Sequence, residues 1–225
     1  MTTFDLSKTT VRELNAFLHG PHAAEGPVRV LEPRGAHAVA CGLACPAEVV
    51  IEGPVGYYCA GMNDLASVTI HGNAGTGLAE NMVSGTVRVR GNASQSAGAT
   101  ACGGLLVIEG DASARCAISL KGADIVVGGS IGHMGAFMAQ AGRLVVCGDA
   151  GDALGDSIYE ARIYVRGRTA GLGADCTEKP LRPEHLAELA DLLRAAGLTH
   201  DPASFRRYGS ARTLYHFHAD HANAY

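Results

Sequence analysis

The residues best able to do chemistry are scattered along this chain. Its seven cysteines stand at positions 41, 45, 59, 102, 116, 147 and 176, with no Cys-x-x-Cys pair. This spacing argues against a structural zinc or an iron–sulfur cluster. His216, His218 and His221 lie close together in sequence, but no neighbouring carboxylate or cysteine cluster completes a metal-ligand set. We therefore expect free, mostly buried thiols in a reducing compartment.

Glycine-rich turns could instead hold a phosphate. Gly72, Gly75 and Gly77 follow an aliphatic segment, but a dinucleotide or P-loop site needs a helix directly after the turn. Here another glycine-rich turn and another aliphatic segment follow, and no Gly-Lys-Ser or Gly-Lys-Thr occurs. Gly-x-Ser-x-Gly and His-Glu-x-x-His are absent as well. We therefore predict no catalytic, cofactor-binding or metal-binding residue on this chain.

The composition is unusual in its glycine content. Of 225 residues, 30 are Gly, 47% are hydrophobic and only 5% are aromatic, whereas Gly averages about 7% in proteins. The formal net charge is −4 and no basic stripe occurs, so a nucleic-acid partner is not expected. The sequence has no apolar stretch of membrane-spanning length and begins MTTFDLSKTTVREL, without a signal-peptide pattern. We predict a cytoplasmic protein.

Seven of the glycines, here called the marker glycines, recur at a fixed interval of 19 residues. The residues two and four positions before each marker glycine are aliphatic in every repeat, whereas the residues between them are mixed. This alternation predicts a short strand with one buried face. The marker glycines are Gly53, Gly72, Gly91, Gly110, Gly129, Gly148 and Gly167.

A repeat of 19 residues is too short for a strand and helix with their loops, which take about 30 residues or more. It fits a coil of short strands and tight turns, in which successive coils pair their strands in parallel. We predict an all-β parallel β-helix, or solenoid, of about seven coils over residues 28–175. Columns of Ala and Gly indicate crowding between coils, and each marker glycine is expected to adopt a backbone conformation that other residues reach only with strain.

Helical segments are predicted on both sides of the repeat. Thr10 and Glu13 match a capping box before an apolar pattern that Gly20 ends, so residues 1–27 are predicted to form a helical cap. Residues 28–31 fit a degenerate first coil. Residues 176–225 are predicted to hold a helix between Pro183 and Gly197 and then an aromatic docking tail.

Two segments are candidates for contact with a partner protein. The turn after Gly53 breaks the pattern of small residues, and residues 205–225 hold five of the twelve aromatic residues of the chain. Aromatic and Arg side chains are favoured at protein interfaces. The alternative for the tail is that it packs on its own coil. The candidate interface residues are Tyr57, Tyr58, Met62, Asn63, Phe205, Arg206, Arg207, Tyr208, Tyr215 and Phe217.

Several longer motifs resemble a known family. The repeat over about residues 28–175 is similar to the C-terminal β-helix domain of the glutamate synthase large subunit. The match is closer to the small glutamate-synthase-like (GXGXG) subunit of N-methylglutamate synthase, and it runs nearly end to end. The motifs are GYYCAGMN, HGNAGTGLAENM, ASQSAGATACGGLLVIEG, VVGGSIGHMGAFMAQAGRLVVCGDAG and FRRYGSARTLYHFH.

This resemblance implies a right-handed parallel β-helix that acts as a non-catalytic subunit of a transferase complex. The expected partners are a class II glutamine-amidotransferase-like subunit and a glutamate-synthase-like subunit that carries FMN and an iron–sulfur cluster. The complex would form N-methylglutamate from methylamine and glutamate during methylamine metabolism in methylotrophs. Two alternatives remain open: the β-helix component of a formylmethanofuran dehydrogenase or formyltransferase/hydrolase complex, and a stand-alone β-helix enzyme or binder working along the coil.

Overall fold

The polypeptide winds into a stack of coils whose strands form one continuous sheet. In a computed structural model, which describes residues 1–212, eleven strands lie in the order β1-β2-β3-β4-β5-β6-β7-β8-β9-β11-β10. The strands are β1 (Thr2–Asp5), β2 (Val28–Leu31), β3 (Glu48–Glu52), β4 (Ser67–Ile70), β5 (Thr86–Val89), β6 (Leu105–Ile108), β7 (Lys121–Val127), β8 (Ala141–Val146), β9 (Arg162–Val165), β10 (Cys176–Lys179) and β11 (Arg206–Ser210). The α-helices are α1 (Val11–Leu18) and α2 (Pro183–Ala196), and 3-10 turns span Pro21–Ala24 and Pro202–Ser204.

The strand pairing confirms the predicted β-solenoid of about seven coils. Val49 pairs with Val68, 19 residues later, and the strands from β3 to β9 keep this parallel register except at the start of β7, where Lys121 pairs with Ala141 and the register shifts. Val28 pairs with Val49, so residues 28–31 do form a first coil with a slightly longer repeat. The predicted aliphatic columns lie inside, with every member at most 1% exposed. Their burial in continuous stacks supplies the hydrophobic stabilisation of the solenoid.

The marker glycines are needed for a different reason from the predicted one. Only the first of them, Gly53, has a left-handed φ, of 140°, so the prediction of strained backbone at each marker is wrong. A Cβ added at Gly110 would lie 2.2 Å from Oδ1 of Asn92 and 2.9 Å from the Gly91 carbonyl oxygen. Close approach of neighbouring coils therefore excludes a side chain at this column.

The side-chain oxygen that crowds each of the last five marker glycines belongs to a ladder of polar side chains. Asn92 accepts a hydrogen bond through Oδ1 from the backbone N–H of Asp111 at 2.8 Å, and Asp111 accepts one in turn from the N–H of Ser130 at 2.7 Å. Asn73, Ser130 and Asp149 make the equivalent bond. The Asn, Asp and Ser residues that follow the marker glycines thus satisfy backbone donors one coil further on.

The left-handed residues lie instead in the turns. Tyr58, Ala60 and Met62 have φ of 58°, 51° and 54°, and the same three positions are left-handed in the coils that follow. Tyr58 donates its N–H forward to Thr76 O at 2.9 Å, whereas Ala60 donates backward to Val39 O at 3.0 Å. These alternating hydrogen bonds satisfy the backbone N–H groups of the turn through the coils on both sides. The middle of the three positions is buried, and it is Ala or Gly in each of these coils.

The N-terminal segment begins with a strand, β1, that was not predicted from the sequence. β1 pairs in parallel with β2 and extends the sheet by one strand. The capping box at Thr10 and Glu13 is present, and the predicted helix α1 follows it. Leu14 and Leu18 of α1 are fully buried, so the helix packs against the coil. No helix within residues 1–212 is long and apolar enough to cross a membrane.

The C-terminal segment covers one outer side of the sheet. Leu189 and Leu193 of α2 form a second apolar cluster with Val126, Val145 and Tyr164, which point away from the coil interior. β11 then inserts antiparallel between β9 and β10. Residues Arg206–Ser210 are therefore part of the sheet, and removing them would leave β9 without one of its partner strands.

Candidate partner interface

An exposed apolar surface lies on two adjacent coils near the N-terminal end of the solenoid. Met62 and Leu65 are 53% and 55% exposed, and Tyr57, Tyr58 and Val83 expose about half of their side chains. The backbone N–H of Val83 bonds to Asn63 O at 2.8 Å, which brings the second coil against the first. We call these five residues the apolar patch. Several exposed apolar side chains on neighbouring coils are typical of a contact surface.

The patch contains three predicted residues and two that the sequence analysis missed. Leu65 and Val83 each differ in residue type from the equivalent positions of neighbouring coils. The positions equivalent to Leu65 in the next two coils are Ser84 and Gly103, so an apolar side chain there is an exception that burial does not explain. This signal was available once the 19-residue register was known.

The two tyrosines of the patch are held in place by their neighbours. The Tyr57 ring stacks on His37 with centroids 4.5 Å apart and planes 11° apart. The Tyr57 N–H also donates to Nδ1 of His37 at 2.9 Å. The Tyr58 ring lies over Gly77, where an added Cβ would come 3.0 Å from Tyr58 Cδ1. A surface ordered in advance loses less conformational entropy when a partner binds.

Asn63 does not belong to this surface, contrary to the prediction. It is fully buried, and its Nδ2 donates to the carbonyl oxygens of Ala66 at 3.0 Å and Ser84 at 2.9 Å. Its Oδ1 has no hydrogen-bond partner among the described residues. The amide bridges two coils from inside the turn, so Asn63 supports the patch from below and cannot itself contact a partner.

The described part of the predicted docking tail packs on its own coil, which is the alternative that the sequence left open. Phe205 and Tyr208 are only 3% and 2% exposed, so neither side chain is available to a partner. Arg206 donates to Gly167 O at 2.6 Å, and Arg207 donates through Nε to Pro180 O at 3.0 Å. Tyr215, Phe217 and the three nearby histidines, His216, His218 and His221, lie outside the described residues.

Comparison with known proteins gives a relative that covers the whole chain. Protein GlxC of Rhizobium meliloti (strain 1021) is 59% identical over 228 residues, which is all of this chain and all of the relative. The chain belongs to the GlxC family. No profile of a known protein family matches it. The alignment covers the segments that form the coil, α1 and α2 in this chain.

In this GlxC-family chain, α2 is tied to the coil by one carboxylate. Glu188 accepts a hydrogen bond through Oε1 from the Tyr164 hydroxyl at 2.5 Å and pairs with Arg143 at 3.2 Å and with Arg162. Arg143 also binds both carboxylate oxygens of Asp124, at 2.5 and 2.6 Å. Burial and the hydrogen bond to Glu188 raise the pKa of Tyr164 above its ordinary value. These contacts hold the helix against the outer face of the sheet.

The side chains best suited to metal binding or nucleophilic chemistry remain separate in the GlxC-family structure. Residues 1–212 contain no group of three His, Cys, Asp or Glu side chains placed to hold a metal ion. The seven cysteines are free thiols, and Cys59 and Cys116 are fully buried. Burial raises the pKa of the Cys116 thiol to about 12, which keeps it protonated and unreactive at neutral pH.

Proposed function

We propose that this chain is a non-catalytic subunit of a glutamate-synthase-like enzyme complex and that the apolar patch is the surface on which a catalytic partner docks. The observation that carries the proposal is the patch itself: five half-exposed apolar side chains on two adjacent coils of a regular solenoid. The motif resemblance to the small glutamate-synthase-like subunits and the full-length likeness to GlxC support the assignment to such a complex.

The proposed reaction is the formation of N-methylglutamate and ammonia from methylamine and glutamate, which makes the whole complex a transferase. The chemistry would lie on the two partners, a class II glutamine-amidotransferase-like subunit and a subunit with FMN and an iron–sulfur cluster. This chain would hold them in a fixed relation. Its rigid coil suits that role, because every coil is hydrogen-bonded to the next along its strands and its turns.

The test is affinity purification of the tagged full-length chain from the organism that encodes it. We expect both partners to be recovered in stoichiometric amounts, detected by mass spectrometry and by flavin absorbance. We also expect the recovered complex, and not the isolated chain, to convert methylamine and glutamate. Recovery of the chain alone at full yield would overturn the proposal.

A matched pair of variants tests the role of the patch. Met62 and Met138 occupy the same position of coils four repeats apart, with φ of 54° and 53° and exposures of 53% and 51%. Asn81 occupies this position in another coil, so Asn is compatible with the left-handed backbone there. Met62→Asn should reduce partner recovery at least tenfold, whereas Met138→Asn should leave it unchanged. Equal recovery with both variants would place the docking surface elsewhere.

A further inference from the structure

A basic groove lies at the C-terminal end of the solenoid, away from the two coils that carry the apolar patch. Its volume is about 620 Å³, and it is bounded by the first turn of α2, by β10 and β11, and by the chain around Arg162. The residues with full positive charge that line it are Arg162, Lys179, Arg182, Arg207 and Arg212, and one carboxylate, that of Glu160, lines it as well.

Two of these cations face each other across a strand pair. Lys179 of β10 and Arg207 of β11 are directly opposite in the antiparallel register, so their side chains leave the same face of the sheet. Like charges at such a position destabilise a sheet. Within residues 1–212, no carboxylate forms an ion pair with either of them. The other three cations are paired, Arg162 with Glu188, Arg182 with Glu184 and Arg212 with Asp175.

The charges around the pair add to its positive field. Burial and the charges of Arg162 and Arg182, only partly offset by Tyr164 and Glu184, hold the pKa of Arg207 below its ordinary value. The groove also faces the N-terminal end of α2, where the helix dipole places partial positive charge. The arrangement therefore costs folding free energy in the isolated chain, and an anion in the groove would recover that energy.

We propose that this groove binds an acidic peptide segment of a partner subunit, an inference that rests on the proposed function. The cations come from three strands and a helix terminus, so they are spread over the groove rather than aimed at one point. Several carboxylates spaced along a peptide satisfy such a set better than one small anion. The Nε of Arg207 is already used by Pro180 O, which leaves the terminal nitrogens of its guanidinium for a carboxylate.

The experiment is a titration of the purified full-length chain with a fluorescently labelled hexaglutamate peptide at low ionic strength. Lys179→Glu/Arg207→Glu should weaken binding at least tenfold relative to the parent chain. The control, Arg34→Glu/Arg168→Glu, changes the net charge equally at exposed positions outside the groove and should bind within twofold of the parent. Equal loss of binding in both double variants would overturn the groove as a specific site.

A neutral variant keeps the test valid if charge reversal prevents folding. Lys179→Gln/Arg207→Gln removes the repulsion, so it should fold at least as well as the parent while binding hexaglutamate at least fivefold more weakly. Unchanged binding would contradict the proposal. Inorganic phosphate is added as a competitor. Displacement of the peptide by phosphate at equal anion concentration would identify a small-anion site and overturn the proposal that the groove binds a peptide.

Failure of this inference is distinguishable from failure of the proposed function. If the groove variants recover both partners as fully as the parent while Met62→Asn does not, the groove proposal fails and the subunit assignment stands. If the parent chain itself recovers neither partner, the assignment fails. A groove variant that loses recovery of one partner, with Arg34→Glu/Arg168→Glu unaffected, supports both.

Discussion

The hydroxyl of Tyr164 donates a 2.5 Å hydrogen bond to Oε1 of Glu188 and so joins β9 to the second turn of α2. Tyr164 is fully buried, and the Glu188 side chain is only 16% exposed. Two arginines complete the pairing of the carboxylate. This link sets the position of the helix that bounds the basic groove.

We predict that Glu188→Ala lowers the free energy of unfolding by about 3 kcal/mol, because it leaves the buried Tyr164 hydroxyl without its acceptor and Arg162 without its anion, whereas Arg143 keeps its pairing with Asp124. Urea denaturation followed by circular dichroism measures the change. Glu184→Ala, one turn earlier on the same helix and 62% exposed at its side chain, is the control and should cost less than about 0.5 kcal/mol. Equal effects of the two changes would contradict the proposed role of Glu188.

Val127→Asp should prevent stable folding. Val127 is fully buried in an interior aliphatic column, and an unpaired carboxylate there costs several kcal/mol. Soluble expression and near-ultraviolet circular dichroism measure the outcome. Val83→Asp, at a half-exposed position, makes the same chemical change and should fold normally. A folded Val127→Asp protein would show that the strand register is wrong.

Gly110→Ala should destabilise the coil by at least about 2 kcal/mol, since the new Cβ would meet Asn92 Oδ1 and the Gly91 carbonyl. Gly35→Ala is a useful contrast. Gly35 has a φ of 75° and open space around it, so the backbone alone should cost about 1 kcal/mol. Adding Asn92→Ala to Gly110→Ala should recover part of the loss, because it removes the nearest atom. Thermal unfolding compares the three proteins.

Phe205→Ala should lower the stability of the chain without weakening its binding to the partner subunits. The ring is buried in the cluster between α2 and the sheet, so truncation should cost about 3 kcal/mol. Well below the melting temperature, partner recovery should equal that of the parent. A variant with normal stability and lost recovery would instead restore the docking role that the sequence suggested for Phe205.

The thiols should differ in reactivity. Cys102 is exposed, whereas Cys116 is buried with its pKa raised to about 12, so at pH 8 a thiol reagent should modify Cys102 rapidly. Cys116 should react only after denaturation. Cys102→Ser should abolish the rapid phase of a DTNB assay. Persistence of that phase would place a reactive thiol elsewhere.

The repeat made the fold predictable from sequence, because a fixed 19-residue interval dictates the register. Val49 opposite Val68 follows from counting alone. The structure of the non-repeating segments was harder to predict, because no equivalent residues in a neighbouring coil indicate where these segments lie. The strand at Arg206–Ser210 depends on antiparallel pairing with Ile163 and its neighbours, a long-range contact that aromatic composition suggested only as one of two alternatives.

The exposure of the candidate interface residues could be predicted from the sequence only in part. Tyr57, Tyr58 and Met62 broke the pattern of small turn residues, and all three are exposed. Asn63 broke it equally but faces inward, because its amide is needed by two carbonyl oxygens. Composition at a turn cannot separate an outward side chain from a buried amide that bonds the backbone.

The reversed strand β11 also bears on how copies of this protein behave at high concentration. A stack of parallel coils is a template for filament growth, because each coil offers the next one an identical edge. Here the regular winding ends at β9. β11 runs antiparallel to β9, and β10, which runs in the same direction as β9, forms the outer edge. Because β11 occupies the place where the strand of a further coil would pair, a second copy cannot pair directly with β9 and continue the winding there. The same strand that buries Tyr208 thus limits fibre formation by a sheet of otherwise uniform direction.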